Sequence, residues 1–217
     1  MNSKDKILEN IRMSTSNRQV ELEEILSSQS NEMHLKKSTK NMTEGENSLN
    51  LLDKFKTSLE GVSAEYRFFS DFAEAKDIIN DFLSGYKRCV NMIKDIAISG
   101  IKLDDLSSPK SLHPLDLAII KGEFGVAENG AIWVDAGKLP DRTIPFLCEN
   151  LVVMIDSNEL VLDMHRAYLR TDTQEYSYGV FITGPSKTAD IEQTLVVGAQ
   201  GPKRMLVLCK GSIHYGQ

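Results

Sequence analysis

The sequence predicts an α/β fold in which helices cover both faces of a mainly parallel, open sheet. From residue 49 onwards, segments with apolar residues at helical spacing alternate with short apolar runs rich in Val, Ile and Leu. This alternation is typical of parallel strands joined by helical crossovers. The runs 117–120, 151–155 and 205–209 are continuously apolar, as expected for strands that are buried on both faces.

The first 48 residues predict an N-terminal arm. Apolar residues at 7, 8, 11, 22, 25 and 26 recur at spacings of three and four, which predicts an amphipathic helix over residues 4–26. Residues 27–48 are mostly Ser, Asn, Lys, Glu and Thr, a composition that predicts a polar linker. We therefore predict an arm of helix and linker over 1–48 and an α/β domain over 49–217. Whether the arm packs on its own domain or on a neighbour is left open.

The domain opens with two helices and two strands in alternation. Leu52, Phe55 and Leu59 predict a first helix that ends at Gly61, and a strand follows over 62–69. A second helix is predicted from about Asp71 to Gly85, with an apolar face of Phe72, Ala75, Ile79 and Phe82. A short strand is expected over 88–93.

The second half of the domain predicts further strands and helices. Strands are expected over 116–121 and 131–135, and Asn129-Gly130 predicts a short antiparallel hairpin because both residues tolerate a positive φ. The remaining predictions are a helix over 142–149, a strand over 151–155, a helix over 157–170, a strand over 178–183, a helix from Thr188 and a final strand over 204–209.

Composition restricts the classes of partner. The 217 residues carry a formal charge of -6, whereas nucleic-acid binding usually needs a clustered basic face. No apolar run approaches the roughly 20 residues of a membrane helix. We therefore expect a cytoplasmic protein that neither binds nucleic acid nor spans a membrane, and a homo-oligomer is possible.

The cysteines predict buried, reduced thiols. Cys89, Cys148 and Cys209 are far apart and lie in apolar surroundings, and no CxxC pair occurs. We expect no metal site and no cofactor bound by this chain alone. His113 and Asp116 are close in sequence, but Pro114 between them favours a solvated or capping role.

The segment 184–193, Gly-Pro-Ser-Lys-Thr-Ala-Asp-Ile-Glu-Gln, is the most specific local motif. We interpret it as a strand end, a tight loop and a helix start, where unpaired amides would form a seat for an anion. The candidate ligand-binding residues are Gly184, Ser186, Lys187, Thr188 and Asp190. The alternative is that these polar residues only cap the helix.

Glu128 is the candidate acid–base or nucleophilic residue. It lies in a Gly-containing turn between two apolar strands, where partial desolvation would raise its pKa. The alternative is that Glu128 accepts hydrogen bonds from turn amides or faces water. Glu149, Asp156 and His165 have the surroundings of ordinary surface or half-buried residues, and we assign them no role.

The motif at 184–193, followed by Val197-Gly-Ala-Gln-Gly-Pro202, resembles the signature of the LUD-domain family of bacterial lactate-utilization proteins. The resemblance covers roughly residues 71–209 and includes the turn 127–131. It implies a fold like that of the superfamily of CoA-transferases, ribose-5-phosphate isomerases and glucosamine-6-phosphate deaminases. It also implies a role in oxidising L-lactate to pyruvate beside iron–sulfur partner proteins. Gln200 stands where the family pattern has His, so we expect a ligand contact there rather than proton transfer.

Three hypotheses follow from these observations. The first is a non-redox component of a lactate-oxidising system that binds a small anionic or phosphorylated ligand and docks onto iron–sulfur subunits. The second is a stand-alone CoA-transferase-like or isomerase-like enzyme that uses Glu128 on an acyl-CoA, a sugar phosphate or a folate-like substrate. The third is a structural adaptor whose N-terminal helix recruits a partner.

Overall fold

The structure, a computed structural model, describes residues 44–100, 114–172, 178–191, 194–198 and 201–211. Its helices are α1 (Glu44–Gly61), α2 (Phe72–Phe82), α3 (Ile144–Leu147) and α4 (Met164–Asp172), and a short 3-10 helix covers Ala136–Lys138. Its strands are β1 (Glu65–Phe69), β2 (Cys89–Asn91), β3 (Leu115–Lys121), β4 (Phe124–Val126), β5 (Ile132–Asp135), β6 (Cys148–Asp156), β7 (Leu160–Val161), β8 (Gly179–Ile182), β9 (Lys187–Ile191), β10 (Thr194–Val197) and β11 (Arg204–Lys210). The predicted helix over 4–26 lies outside the described residues.

The main sheet consists of parallel strands in the order β1-β11-β6-β3-β2. The nine-residue strand β6 is central, paired with β11 on one side and with β3 on the other. Leu151, Val152 and Val153 are all fully buried, although consecutive side chains point to opposite faces. Both faces of the sheet are therefore covered, as predicted for a mainly parallel sheet.

Helices pack on both faces, which confirms the predicted α/β class. On one face, α2 places Ala75, Ile79 and Phe82 in a cluster with apolar side chains of the main sheet. The N-terminus of α2 is fixed by Asp71, whose carboxylate accepts hydrogen bonds from the amides of residues 73 and 74. On the other face, α1 contributes Phe55 and Leu59.

A second sheet, in the order β7-β4-β5-β8, packs on the α1 face of the main sheet. Strands β4 and β5 are antiparallel and joined by the Asn129-Gly130 turn, so the predicted hairpin is confirmed. Strand β8 pairs antiparallel with β5, so the strand predicted over 178–183 lies in this sheet. Trp133 faces away from the main sheet, in a cluster with Ala167 of α4.

Two predicted helices are wrong in part. Over 157–170, the first half contains the strand β7, and α4 begins only at Met164. The cause is a turn in which the Asp156 carboxylate accepts hydrogen bonds from the amide and the side chain of Asn158. The helix over 142–149 is reduced to α3, because β6 already begins at Cys148.

The helix predicted from Thr188 is wrong. Residues 187–191 form β9, which pairs antiparallel with β10, placing Lys187 opposite Val197 and Thr188 opposite Val196. The physical reason is the run Thr194-Leu-Val-Val, which favours an extended strand and supplies a partner for β9. The predicted linker also ends earlier than residue 48, because α1 begins at Glu44.

Gly179 is predicted to be sterically required in β8. A Cβ atom at this position would lie 2.0 Å from Cζ2 of Trp133, a side chain that is only 9% exposed. Gly179→Ala should therefore lower the free energy of unfolding by about 1–3 kcal/mol, a typical cost of overpacking. Because the chain has one Trp, its fluorescence in a urea titration reports this environment directly.

Gly61→Ala is the matched control, since a Cβ atom at Gly61 would have no heavy atom within 4 Å apart from its chain neighbours and the backbone of its own helix. It should leave the urea midpoint nearly unchanged. Equal stabilities for Gly179→Ala and wild type would contradict the contact between β8 and Trp133.

The three buried thiols predict a loss of stability in alkali. Burial raises the pKa of Cys89 and of Cys148 to about 12, and that of Cys209 to about 11. A thiol in the unfolded chain ionises near pH 8.5, while the native thiols remain protonated. The stabilising effect is thus complete below about pH 8 and is lost as the pH rises through the native pKa values of about 11 to 12. Urea unfolding at a series of pH values measures this, and rapid labelling of the native thiols at pH 8 would contradict it.

Candidate functional site

The segment after Gly184 is a strand, and not the helix start on which the predicted anion site was based. The amide of Ser186 donates to the carbonyl of Pro202 at 2.8 Å, and the carbonyl of Ser186 accepts from the amide of Gly198 at 2.9 Å. From Lys187 onwards the chain pairs in the β9–β10 hairpin. Residues 187–191 therefore do not provide the unpaired amides of a helix N-terminus, and the predicted helix start is wrong.

The candidate residues of this loop are distributed as follows. Gly184, Ser186 and Lys187 line a small cleft of about 270 Å³. Lys187 Nζ donates to the carbonyl of Val62 at 2.9 Å and to Ser63 Oγ at 2.8 Å, so it ties the hairpin to the turn before β1. Thr188 and Asp190 belong to β9, and Gln200 lies outside the described residues. Ligand binding by these residues remains a prediction.

Glu128 is exposed in the turn between β4 and β5. Its Oε2 accepts a hydrogen bond from the amide of Met164 at 3.0 Å, at the first residue of α4. Its backbone carbonyl accepts a bond of 3.3 Å from Ser58 Oγ of α1. The expected desolvation of this carboxylate is therefore wrong, and the structure gives Glu128 a capping contact. Its catalytic role remains a prediction.

Asp116 likewise has the capping role that the sequence favoured. Its Oδ2 accepts hydrogen bonds from the amides of Lys87 at 2.7 Å and Arg88 at 2.9 Å. These bonds hold the pKa of the Asp116 carboxyl below its usual range. The residue thus fixes the entry into β2 beside β3.

A second cleft, of about 640 Å³, lies at one edge of the main sheet. We call it the carboxyl-edge cleft, because it lies where the parallel strands β2, β3, β6 and β11 end. Ligands of open α/β sheets usually bind at this edge. Its lining residues are Phe72, Met92, Ile93, Lys94, Asp95, Lys121, Gly122, Glu123, Met154, Ile155, Asp156, Glu159, Arg170 and Lys210.

Three charged side chains form a row across this cleft. Lys121, Asp156 and Lys210 are the last residues of β3, β6 and β11, which are adjacent in the sheet. Residues two apart on a strand point to the same face of the sheet. The side chains of Lys121, Asp156 and Lys210 therefore lie on the face that packs against α2, where the preceding side chains of each strand are buried. Register places Lys210 beside Asp156, and Lys121 beside Met154. We call these three residues the Lys–Asp–Lys row.

Ion pairing leaves the lysines of the row available for a ligand. Glu123 pairs with Lys138 at 2.8 Å, and Glu159 pairs with Arg170, so two of the carboxylates in the cleft are already neutralised. Within the described part of the chain, neither Lys121 nor Lys210 has a carboxylate within 4 Å. Lys210 Nζ lies 5.1 Å from the centre of the Phe72 ring. The cleft therefore presents ammonium groups beside an apolar wall, an arrangement that suits a small organic anion.

The helix termini next to the cleft are already capped. Phe72 is the first residue of α2, but the amides of residues 73 and 74 donate to Asp71 Oδ1. The carboxylate of Glu74 accepts from the amide and hydroxyl of Ser70, and these bonds lower its pKa. An anion in this cleft is therefore held by side chains rather than by the free amides of α2.

Sequence reasoning missed the Lys–Asp–Lys row, although a signal was present. In each case one charged residue ends a buried apolar run: Ile120-Lys121, Ile155-Asp156 and Cys209-Lys210. The carboxyl ends of parallel strands meet at one edge, so this pattern indicates a shared site. Among the described residues, no group of three or more His, Cys, Asp or Glu side chains is arranged to hold a metal ion. None of the helices described is long and apolar enough to cross a membrane.

Comparison with known proteins identifies a known domain in the second half of the chain. The model of the LUD domain family matches residues 109–209. Lactate utilization protein C of Geobacillus sp. (strain WCH70) is 33% identical over 95 residues, which cover 41% of this chain and 39% of that protein. The protein of the same name from Exiguobacterium sp. (strain ATCC BAA-1283 / AT1b) is 34% identical over 111 residues, 46% of this chain and 48% of that protein. The alignments thus span less than half the length of these curated relatives.

A solved structure supports the fold. The crystal structure of a DUF162 family protein from Deinococcus radiodurans superposes with a TM-score of 0.55, covering 76% of this chain and 98% of that chain. Sequence identity is 15%, so this likeness concerns the fold alone. Residues 109–209 thus match the LUD domain family, and the fold of the chain is similar to that of this DUF162 family protein.

Proposed function

We propose that this chain is a component of a lactate-utilization system and that its carboxyl-edge cleft binds a small organic anion. Support for the first part comes from the LUD domain and from relatives named lactate utilization protein C. The observation that carries the second part is the pair Lys121 and Lys210, which lie at the ligand-binding edge of the sheet without carboxylate partners in the described residues.

In this proposal the chain binds the acid, and iron–sulfur partner subunits carry the electrons when L-lactate is oxidised to pyruvate. Two ammonium groups on opposite sides of β6 attract a carboxylate from either side. Phe72, Met92 and Met154 line the same cleft and contact the hydrocarbon part of the ligand. Backbone rigidity favours this arrangement, because both lysines end strands of the main sheet.

The proposal predicts that Lys121→Gln and Lys210→Gln each weaken binding of L-lactate about 10- to 100-fold. This corresponds to the roughly 1.5–3 kcal/mol of a hydrogen bond to a charged group. Isothermal titration calorimetry of the full chain measures the Kd directly. The double variant should show no detectable heat at the same concentrations.

Two control variants distinguish binding in this cleft from binding elsewhere on the protein surface. Lys56→Gln removes the same charge from an exposed position on α1 and should leave the Kd unchanged. Lys187→Gln tests the site predicted at the Gly184 loop. If Lys187→Gln abolishes binding while Lys121→Gln does not, the ligand binds at the Gly184 loop and the cleft assignment is wrong.

Glu128 is expected to stabilise α4 without taking part in this binding. Glu128→Ala removes the acceptor for the amide of Met164 and should lower the free energy of unfolding by about 1 kcal/mol. Glu128→Gln keeps an acceptor oxygen and should be closer to wild type. Both variants should retain the wild-type Kd for L-lactate, and a large loss of ligand affinity in the stable Gln variant would instead place Glu128 in the site.

A further inference from the structure

We infer that Asp156 makes the carboxyl-edge cleft selective for 2-hydroxy monocarboxylates over 2-oxo acids and over dianions. This inference rests on the proposed function, because it assumes that the acid lies between Lys121 and Lys210. It adds a determinant of specificity that the two lysines alone do not provide, since they attract any small anion.

The position of Asp156 in the sheet supports this role. It ends the central strand β6, and the two lysines end the strands on either side. With neighbouring strands about 4.8 Å apart, β3 and β11 lie about 10 Å from each other, and Asp156 is between them. Register places Asp156 beside Lys210 and two residues beyond Met154, the partner of Lys121. An acid whose carboxylate is held by Lys210 therefore has its α-carbon substituent close to Asp156.

The hydrogen bonds of Asp156 leave one oxygen for a ligand. Oδ1 accepts from the amide of Asn158 at 2.9 Å and from its side-chain nitrogen at 3.1 Å, so the carboxylate is oriented by the turn after β6. For Oδ2, no donor lies within hydrogen-bonding distance among the described residues. A carboxylate oxygen only accepts hydrogen bonds, so its natural ligand partner is a hydroxyl group.

The ketone oxygen of a 2-oxo acid would instead be repelled by Asp156. This oxygen is also an acceptor, and it would face Asp156 Oδ2 without a proton between them. Desolvating that carboxylate without a donor carries a penalty that the hydroxy acid avoids. Discrimination therefore arises from a repulsive contact with the wrong ligand as well as from an attractive contact with the right one.

Dianions are disfavoured by the same surroundings. Phosphate sites are usually built from free backbone amides at a helix N-terminus or in a glycine-rich loop. Here Asp71 already accepts from the amides of residues 73 and 74 of α2, and Glu74 accepts from the amide of Ser70 just before the helix. Asp156 and Asp95 add negative charge to the lining. The site is suited to one negative charge with a neighbouring hydroxyl group.

The test compares four probes on the full chain: L-lactate, pyruvate, propionate and inorganic phosphate. Calorimetry on the wild type should give a Kd for L-lactate at least tenfold lower than for each of the other three. In Asp156→Asn, the amide can donate as well as accept and the negative charge is lost. Pyruvate affinity should rise, and the ratio of the two Kd values should fall below about threefold.

Asp77→Asn is the matched control, because it removes the same charge from an exposed position on α2. This variant should keep the wild-type ratio of the Kd for pyruvate to the Kd for L-lactate. Should Asp156→Asn fail to fold by circular dichroism, Asp156→Ser gives the same test, since its hydroxyl can donate to a ketone. Loss of the ratio in either folded variant supports the inference.

Two outcomes overturn the inference, and they differ in what they say of the cleft. Equal binding of L-lactate and pyruvate by the wild type, with both affinities weakened in Lys121→Gln, removes the role of Asp156 and leaves the anion site intact. Absence of binding by all four probes, or binding that is indifferent to Lys121→Gln and Lys210→Gln, overturns the proposed function as well.

Discussion

Parallel pairing of β6 with β3 and β11 is the constraint on which the rest of the molecule depends. Because β6 is paired on both edges, both of its faces are buried in apolar contacts. The second sheet and α1 pack on one face, and α2 packs on the other. Because the strands run in the same direction, their carboxyl ends lie together at one edge. On the face that packs against α2, charged side chains can therefore occur only at the strand ends, where the buried apolar side chains stop. The Lys–Asp–Lys row is thus a direct consequence of where the core stops.

A second constraint is the exit of the chain from the main sheet after β3. Gly122 donates its amide to the carbonyl of Met154 at 2.8 Å and immediately leads into β4 of the second sheet. A Cβ atom there would lie 2.4 Å from Cγ2 of Ile132 and 2.8 Å from Cγ2 of Ile155. The two sheets can therefore pack closely at this point only because residue 122 has no side chain. This close packing places Glu123 and Arg170 in the same cleft as the row.

How far the sequence predicts this molecule depends on the range of the interactions involved. Strand β6 and helix α2 follow from local signals, namely the continuous apolar run at 151–155 and the Asp71 cap before a face of apolar residues. The segment from Thr188 was ambiguous because Thr and Asp suit a helix start as well as a hairpin, and its partner β10 decided the outcome. The sequence shows a charged residue at the end of each of these three apolar runs, but only the strand order β3-β6-β11 makes residues 121, 156 and 210 neighbours.

The physical origin of anion recognition also differs between the sequence motif and the folded chain. The motif at 184–193 led to the backbone amides of a helix start as the source of positive charge, but residues 187–191 form a strand of a hairpin. At α2 the amides of residues 73 and 74 donate to Asp71, and at α4 the first amide donates to Glu128. Each of these capped termini favours its own carboxylate over an exogenous anion. In the proposed site, the positive charge comes instead from the two lysines at the ends of β3 and β11. A site built from side chains can be selective in a way that a helix dipole cannot. A helix terminus binds any anion of suitable size. In the proposed site, the Asp156 carboxylate between the two lysines also selects the group next to the ligand's own carboxylate, because it accepts a hydrogen bond from a hydroxyl and repels a ketone oxygen.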